Sequence, residues 1–136
     1  MGFEVYVAWS EHGEPCTVAF AQLEALFAGA IRSRSTSDHG TAWTLDYEGA
    51  RCEALVQGHG STVSCVSIDR PVAAVELWET LIQAMRLGHG VCFWPGNAYA
   101  IATEEDRAHL PLDMLGDGDP AVVTSGLDLR AVIEAS

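Results

Sequence analysis

Lysine is absent from the chain, and all seven basic residues are arginines. Against nineteen acidic residues they leave a formal net charge of −12. A surface of that sign repels nucleic-acid phosphates and anionic headgroups, which argues against a nucleic-acid binder and against a peripheral membrane protein. It suits a basic protein partner, and it also serves simple solubility. The missing lysine, beside abundant alanine and glycine, reads as coding bias of a GC-rich genome and not as chemistry. No apolar run approaches the roughly 18–20 residues that cross a bilayer. No basic residue precedes Arg32, so the n-region of a secretory signal is missing. "MGFEVY" has Tyr6 where a myristoylation site needs Ser or Thr. A cytoplasmic location is expected. There is no C-x-x-C, and in a cytoplasmic setting Cys16, Cys52, Cys65 and Cys92 read as small buried hydrophobes, not as bridges.

Nearly half of the 136 residues are apolar, enough for one ordinary core. "FEVYVAW" (3–9) reads as a strand, Gly13 as part of a turn, and "PCTVAF" (15–20) as a returning strand. "AQLEALFAGAI" (21–31) has helical spacing, with Leu23, Leu26, Phe27 and Ala30 on one stripe. "RSRSTSDHG" (32–40) is polar and without periodicity, and is expected to be a loop. "TAWTLDYEG" (41–49) alternates, with Trp43, Leu45 and Tyr47 on the buried side.

"QGHGSTV" (57–63) and "LGHGVCF" (87–93) each hold a histidine between glycines. The first is expected as a three-residue hairpin loop between strands, setting Ala50 opposite Ile68, Cys52 opposite Val66, Ala54 opposite Ser64 and Val56 opposite Thr62. The second follows the amphipathic stretch 69–88, with Asp69 as cap, Pro71 in the first turn and Gly88 as left-handed stop. They are therefore punctuation and not a repeat. Strands follow at 91–94, 98–103 and 121–125. A helix starts at 104 and is broken by Pro111, and a final helix spans 125–135 with Ser125 and Asp128 in a capping-box arrangement. The order predicts an α+β fold: one domain over 1–136, an antiparallel or mixed sheet of about six to seven strands, and helices covering one face.

Catalytic signatures are few. There is no phosphate loop and no G-x-S-x-G. His89 and Cys92 have ligand-like spacing and would need Cys65 or His59 to complete a metal site; a turn histidine beside a buried strand cysteine explains the pair as well. Asp117 and Asp119 resemble half a calcium loop without its remaining ligands. No metal and no cofactor is called for. The acidic run Glu104, Glu105, Asp106, Asp117 and Asp119 is the best candidate for a partner-binding surface, joined by Trp94 and Tyr99 if those rings face out around the Pro-Gly turn. Burial of both rings in the core is the competing reading.

The stretch "SIDRPVAAVELWETLIQAMRLGHGVCFWPG" (67–96) resembles a recurring pattern of small bacterial proteins: D-R-P, an amphipathic helix with L-W-E, then W-P-G. In size, acidity and α+β organisation the chain is similar to immunity proteins that neutralise secreted bacterial toxins. That similarity of type implies a non-enzymatic cytoplasmic binder whose acidic surface meets a basic toxin domain. An enzyme or small-ligand protein using Cys65, His59 or His89 is the alternative, and a self-associating subunit, possible as a homodimer through a strand edge, is a third.

Overall fold

The computed structural model describes residues 3–96, 98–111 and 119–135. The architecture is α+β with a mixed sheet of ten strands, more than the six to seven expected. Strands β1 (Glu4–Glu11), β2 (Glu14–Cys16) and β3 (Val18–Ala19) precede α1 (Phe20–Phe27). Four strands follow, β4 (Ile31–Ser37), β5 (Gly40–Tyr47), β6 (Ala50–His59) and β7 (Thr62–Asp69), then α2 (Val75–Met85). Strands β8 (Gly90–Trp94) and β9 (Ala98–Ile101), a 3-10 segment (Glu104–His109), β10 (Ala121–Val122) and α3 (Gly126–Glu134) complete the order. The long strands run β10-β9-β8-β1-β7-β6-β5-β4, antiparallel except for β10 on β9. No helix among the described residues is long and apolar enough to cross a membrane.

Pairing assigns each side chain to a face. One row reads Trp43–Ala54–Ile68–Val5, and the next Val56–Val66–Val7–Cys92–Ala100. All nine are buried, and they form the main core beneath the helices. Helix α2 packs on β1 and β8, with α1 and α3 against α2. The Trp9 indole donates to the Ala84 carbonyl at 3.0 Å, tying β1 to α2. Gly90 lets β8 start directly under the end of α2, because a Cβ there would lie 2.6 Å from Met85 backbone atoms.

Several expectations are corrected. The 32–40 stretch is mostly strand β4 and not a loop. As the edge strand beside β5 it exposes every residue after Ile31, so it carries no apolar alternation to read. The β6–β7 hairpin turns at Gly60–Ser61, with His59 opposite Thr62, Ala54 opposite Ile68 and Val56 opposite Val66. The turn at Gly60–Ser61, where a 58–60 loop was expected, shifts the register, and a bulge at Gln57/Gly58 shifts it by one residue more and turns Val63 inward. Gly58 permits it, since a Cβ would meet the Val63 Cα at 2.8 Å. Helix α2 begins at Val75 behind Ala74; Asp69 ends β7 instead of capping, and Arg86, not a left-handed Gly88, closes the helix. At α3, Ser125 caps by accepting from the Asp128 N–H, as expected, while the Asp128 carboxylate accepts from Thr124.

Candidate functional site

The face away from the helices carries a second set of rows. Ala42–Leu55–Ser67–Tyr6–Phe93–Tyr99 crosses six strands, and Thr44–Glu53–Asp69–Glu4 lies beside it. Three carboxylates on adjacent strands therefore stand directly opposite one another, Asp69 facing both Glu53 and Glu4. All three are exposed. Like charges in that arrangement oppose folding. Among the described residues no salt bridge reaches these three carboxylates; Arg51 and Arg70 line a neighbouring hollow with Glu53 and Asp69, and Arg51 is bound to Asp46 at 3.4 Å. A groove of about 280 Å³ runs along it, lined by Glu4, Ala42, Glu53, Leu55, Ser67 and Asp69.

Aromatic surface adjoins the acids. The half-buried rings of Tyr6 and Phe93 stack with centroids 5.1 Å apart and planes at 11°. The Tyr6 hydroxyl donates to Glu4 at 3.1 Å. That bond, then burial and neighbouring charge, raises the phenol above its ordinary value. Toward β9 this face is closed by a small apolar cluster of Val91, Tyr99, Ile101 and Leu110, with the 3-10 segment against β9.

The residues singled out from the sequence separate into different environments. Trp94 is 5% and Tyr99 7% exposed, Trp94 in the main core and Tyr99 in the small cluster. Neither presents a ring to a partner, because Trp94 is packed in the core under the helices and Tyr99 against Leu110 in the small cluster. Asp106 is also buried and accepts from His89 Nδ1 at 2.7 Å, so it is not part of an exposed acidic surface. Glu104, Glu105 and Asp119 are exposed, and Arg107 bridges Glu104 at 2.6 Å and Asp119 at 3.1 Å, neutralising part of the run. Asp117 lies outside the described residues.

The cysteines and the first-considered histidines do not assemble. Cys92 points into the helix side and burial pushes its thiol up. Cys65 is on the outer face, where burial raises it to about 11. His59 is at the β6–β7 turn. Among the described residues no group of three His, Cys, Asp or Glu is arranged to hold a metal. His89 instead joins His12 and His109 in a stack behind Asp106, a grouping across 97 positions of sequence that no local spacing announces.

The missed site is the Glu4–Asp69–Glu53 row. Its only sequence signal is that the polar face of each strand carries an acid near one end. Their convergence required the register.

Comparison with known proteins finds no family model, no curated protein and no solved structure that matches the chain.

Proposed function

We propose that the chain is a non-enzymatic protein-binding protein of the immunity type, docking a basic partner such as a toxin domain over the outer face of its sheet. The observation that carries this reading is the carboxylate row Glu4–Asp69–Glu53, which among the described residues makes no salt bridge, beside the Tyr6–Phe93 stack. Folding gains nothing from three facing acids, whereas a cationic surface would turn their repulsion into attraction and accelerate encounter. Aromatic rings next to the charges supply apolar contact area of the kind that dominates interfaces. The Glu104/Glu105 surface is the weaker candidate, because Arg107 already partners it.

The test is capture of tagged protein complexes from the native host at low salt. A basic protein retained by the wild type and by Glu104→Gln/Glu105→Gln, but lost with Glu4→Gln/Glu53→Gln/Asp69→Asn, supports the reading. Equal retention by all three would overturn the assignment to the outer face.

One observation favours the small-molecule alternative. The Asp106 carboxylate orients His89 through Nδ1, which leaves Nε2 as the basic nitrogen of a general-base pair. Loss of a measured turnover in His89→Gln, with the fold retained, would select that reading.

A further inference from the structure

Three of the five histidines meet at one point from three separate elements. His12 comes from the β1–β2 turn, in a left-handed conformation with φ of 50°. His89 lies between α2 and β8, and His109 ends the 3-10 segment. The His89 and His109 rings are parallel, with centroids 3.6 Å apart and planes at 7°. The His12 ring lies 4.6 Å from that of His109. Ser10, itself buried, donates its hydroxyl to the His109 carbonyl.

Their partners place the protons. The His12 backbone N–H can only donate, so His109 Nδ1, 3.0 Å away, accepts and bears no hydrogen. In the closed contact the ring hydrogen of His109 thus belongs on Nε2. The Asp106 carboxylate accepts, so His89 Nδ1 carries a hydrogen, and this contact survives whether His89 is neutral or charged.

We propose that this stack is an acid-released clasp holding the 3-10 segment to the β1–β2 turn. A proton added to His89 is matched by Asp106. A proton added to His109 turns its Nδ1 from acceptor into donor against the His12 N–H. It also sets a second cation on a parallel ring 3.6 Å from His89. The charged residues on the elements that carry the stack are Glu11 and Glu14 on β1 and β2, Arg86 at the end of α2, and Glu104, Glu105, Asp106 and Arg107 on the 3-10 segment. Arg86 is engaged with the Thr124 carbonyl and Arg107 with Glu104. None of these restores an acceptor to the His12 N–H once His109 Nδ1 is protonated.

The sign follows from linkage. The open state binds a proton on His109 that the closed state excludes, so closure is favoured as pH rises. Acid therefore works toward opening. Opening uncovers the cluster of Val91, Tyr99, Ile101 and Leu110. The device goes beyond the binding proposal and does not depend on it.

Amide hydrogen exchange of the intact protein, corrected for the chemical exchange rate, is the test. Protection across 104–110 is expected to drop at least tenfold between pH 7.5 and pH 5, while β7 stays protected. In His109→Gln the side-chain oxygen still accepts from His12 and never charges, so its 104–110 protection is expected to be independent of pH. Wild-type protection that does not change with pH, or a His109→Gln variant that loosens equally on acidification, would overturn the clasp. Should the variant not fold, nitrogen-15 spectra of the wild-type imidazoles decide: His109 as the Nε2–H tautomer at pH 7.5 supports the clasp, and Nδ1–H refutes it.

Discussion

Asp69→Asn is expected to stabilise the protein, a direction opposite to most substitutions at the end of a core strand. Asp69 faces Glu4 on one side and Glu53 on the other. Two unit charges about 5–6 Å apart in a water-like medium repel by about 0.7 kcal/mol. Cross-strand pairs measured in other sheets differ by about 0.2–1 kcal/mol. Removing both repulsions at once therefore gives a gain of about 1 kcal/mol, a rise of about 3–5 °C in Tm for a chain of this size. Asn and Asp have similar strand preferences, and the side chain is exposed, so little else changes. Thermal and urea unfolding at low salt and at 0.5 M NaCl would measure it, with less than half of the gain surviving in high salt. The cycle Glu53→Gln with Asp69→Asn adds a check on the strand register, since those residues couple only if they face each other. With Ala50 opposite Ile68, Glu53 would face Cys65 and the coupling would vanish. A destabilised variant, or a gain indifferent to salt, would refute the argument.

Trp43 is fully buried and its indole N–H has no acceptor among the described residues. In Trp43→Phe the lost packing is offset by removal of that unsatisfied donor, so urea unfolding is expected to show a change within about 1.5 kcal/mol, against about 3–5 kcal/mol for Trp43→Ala. Gly90→Ala drives a methyl into the Met85 backbone and is expected to cost about 2 kcal/mol or more, read as a lowered Tm. Asp46 is held below the ordinary carboxylate value by the Gly49 N–H first, then, against an opposing burial effect, by Arg51 and Arg32. Its contribution is present above the unfolded value of 3.8 and lost as pH falls through the lower folded one. Asp46→Ala is thus expected to be less stable than wild type at pH 7, with the gap closing below about pH 4 in pH-dependent melts.

Elements with one face buried announced themselves locally. Trp43 and Leu45 alternate because β5 has the helices on one side, and Leu77, Trp78, Leu81, Ile82 and Met85 repeat because α2 lies on the sheet. Ser125 and Asp128 read correctly as a cap because capping acts within one turn. Strand β4 was invisible for the opposite reason: an edge with both faces in solvent has no apolar period. The hairpin register differs from the expected one because the turn falls at Gly60–Ser61 and a bulge at Gly58 adds to the shift; the bulge depends on backbone approach from Val63, which a pattern of side chains does not encode.

The site divides along the same line. Composition alone determined the sign of the surface, an excess of acid with no lysine to balance it, and so the kind of partner that long-range electrostatics favours. Which acids stand together was decided only by tertiary structure. Glu104, Glu105 and Asp106 are neighbours in sequence, yet one is bound to Arg107 and another is buried against His89. Glu4, Glu53 and Asp69 are far apart in sequence and share one row. Net charge is a sum over residues and survives any fold, whereas juxtaposition depends on strand register, which the packing of Val5, Val7, Val66 and Ile68 on the opposite face holds in place.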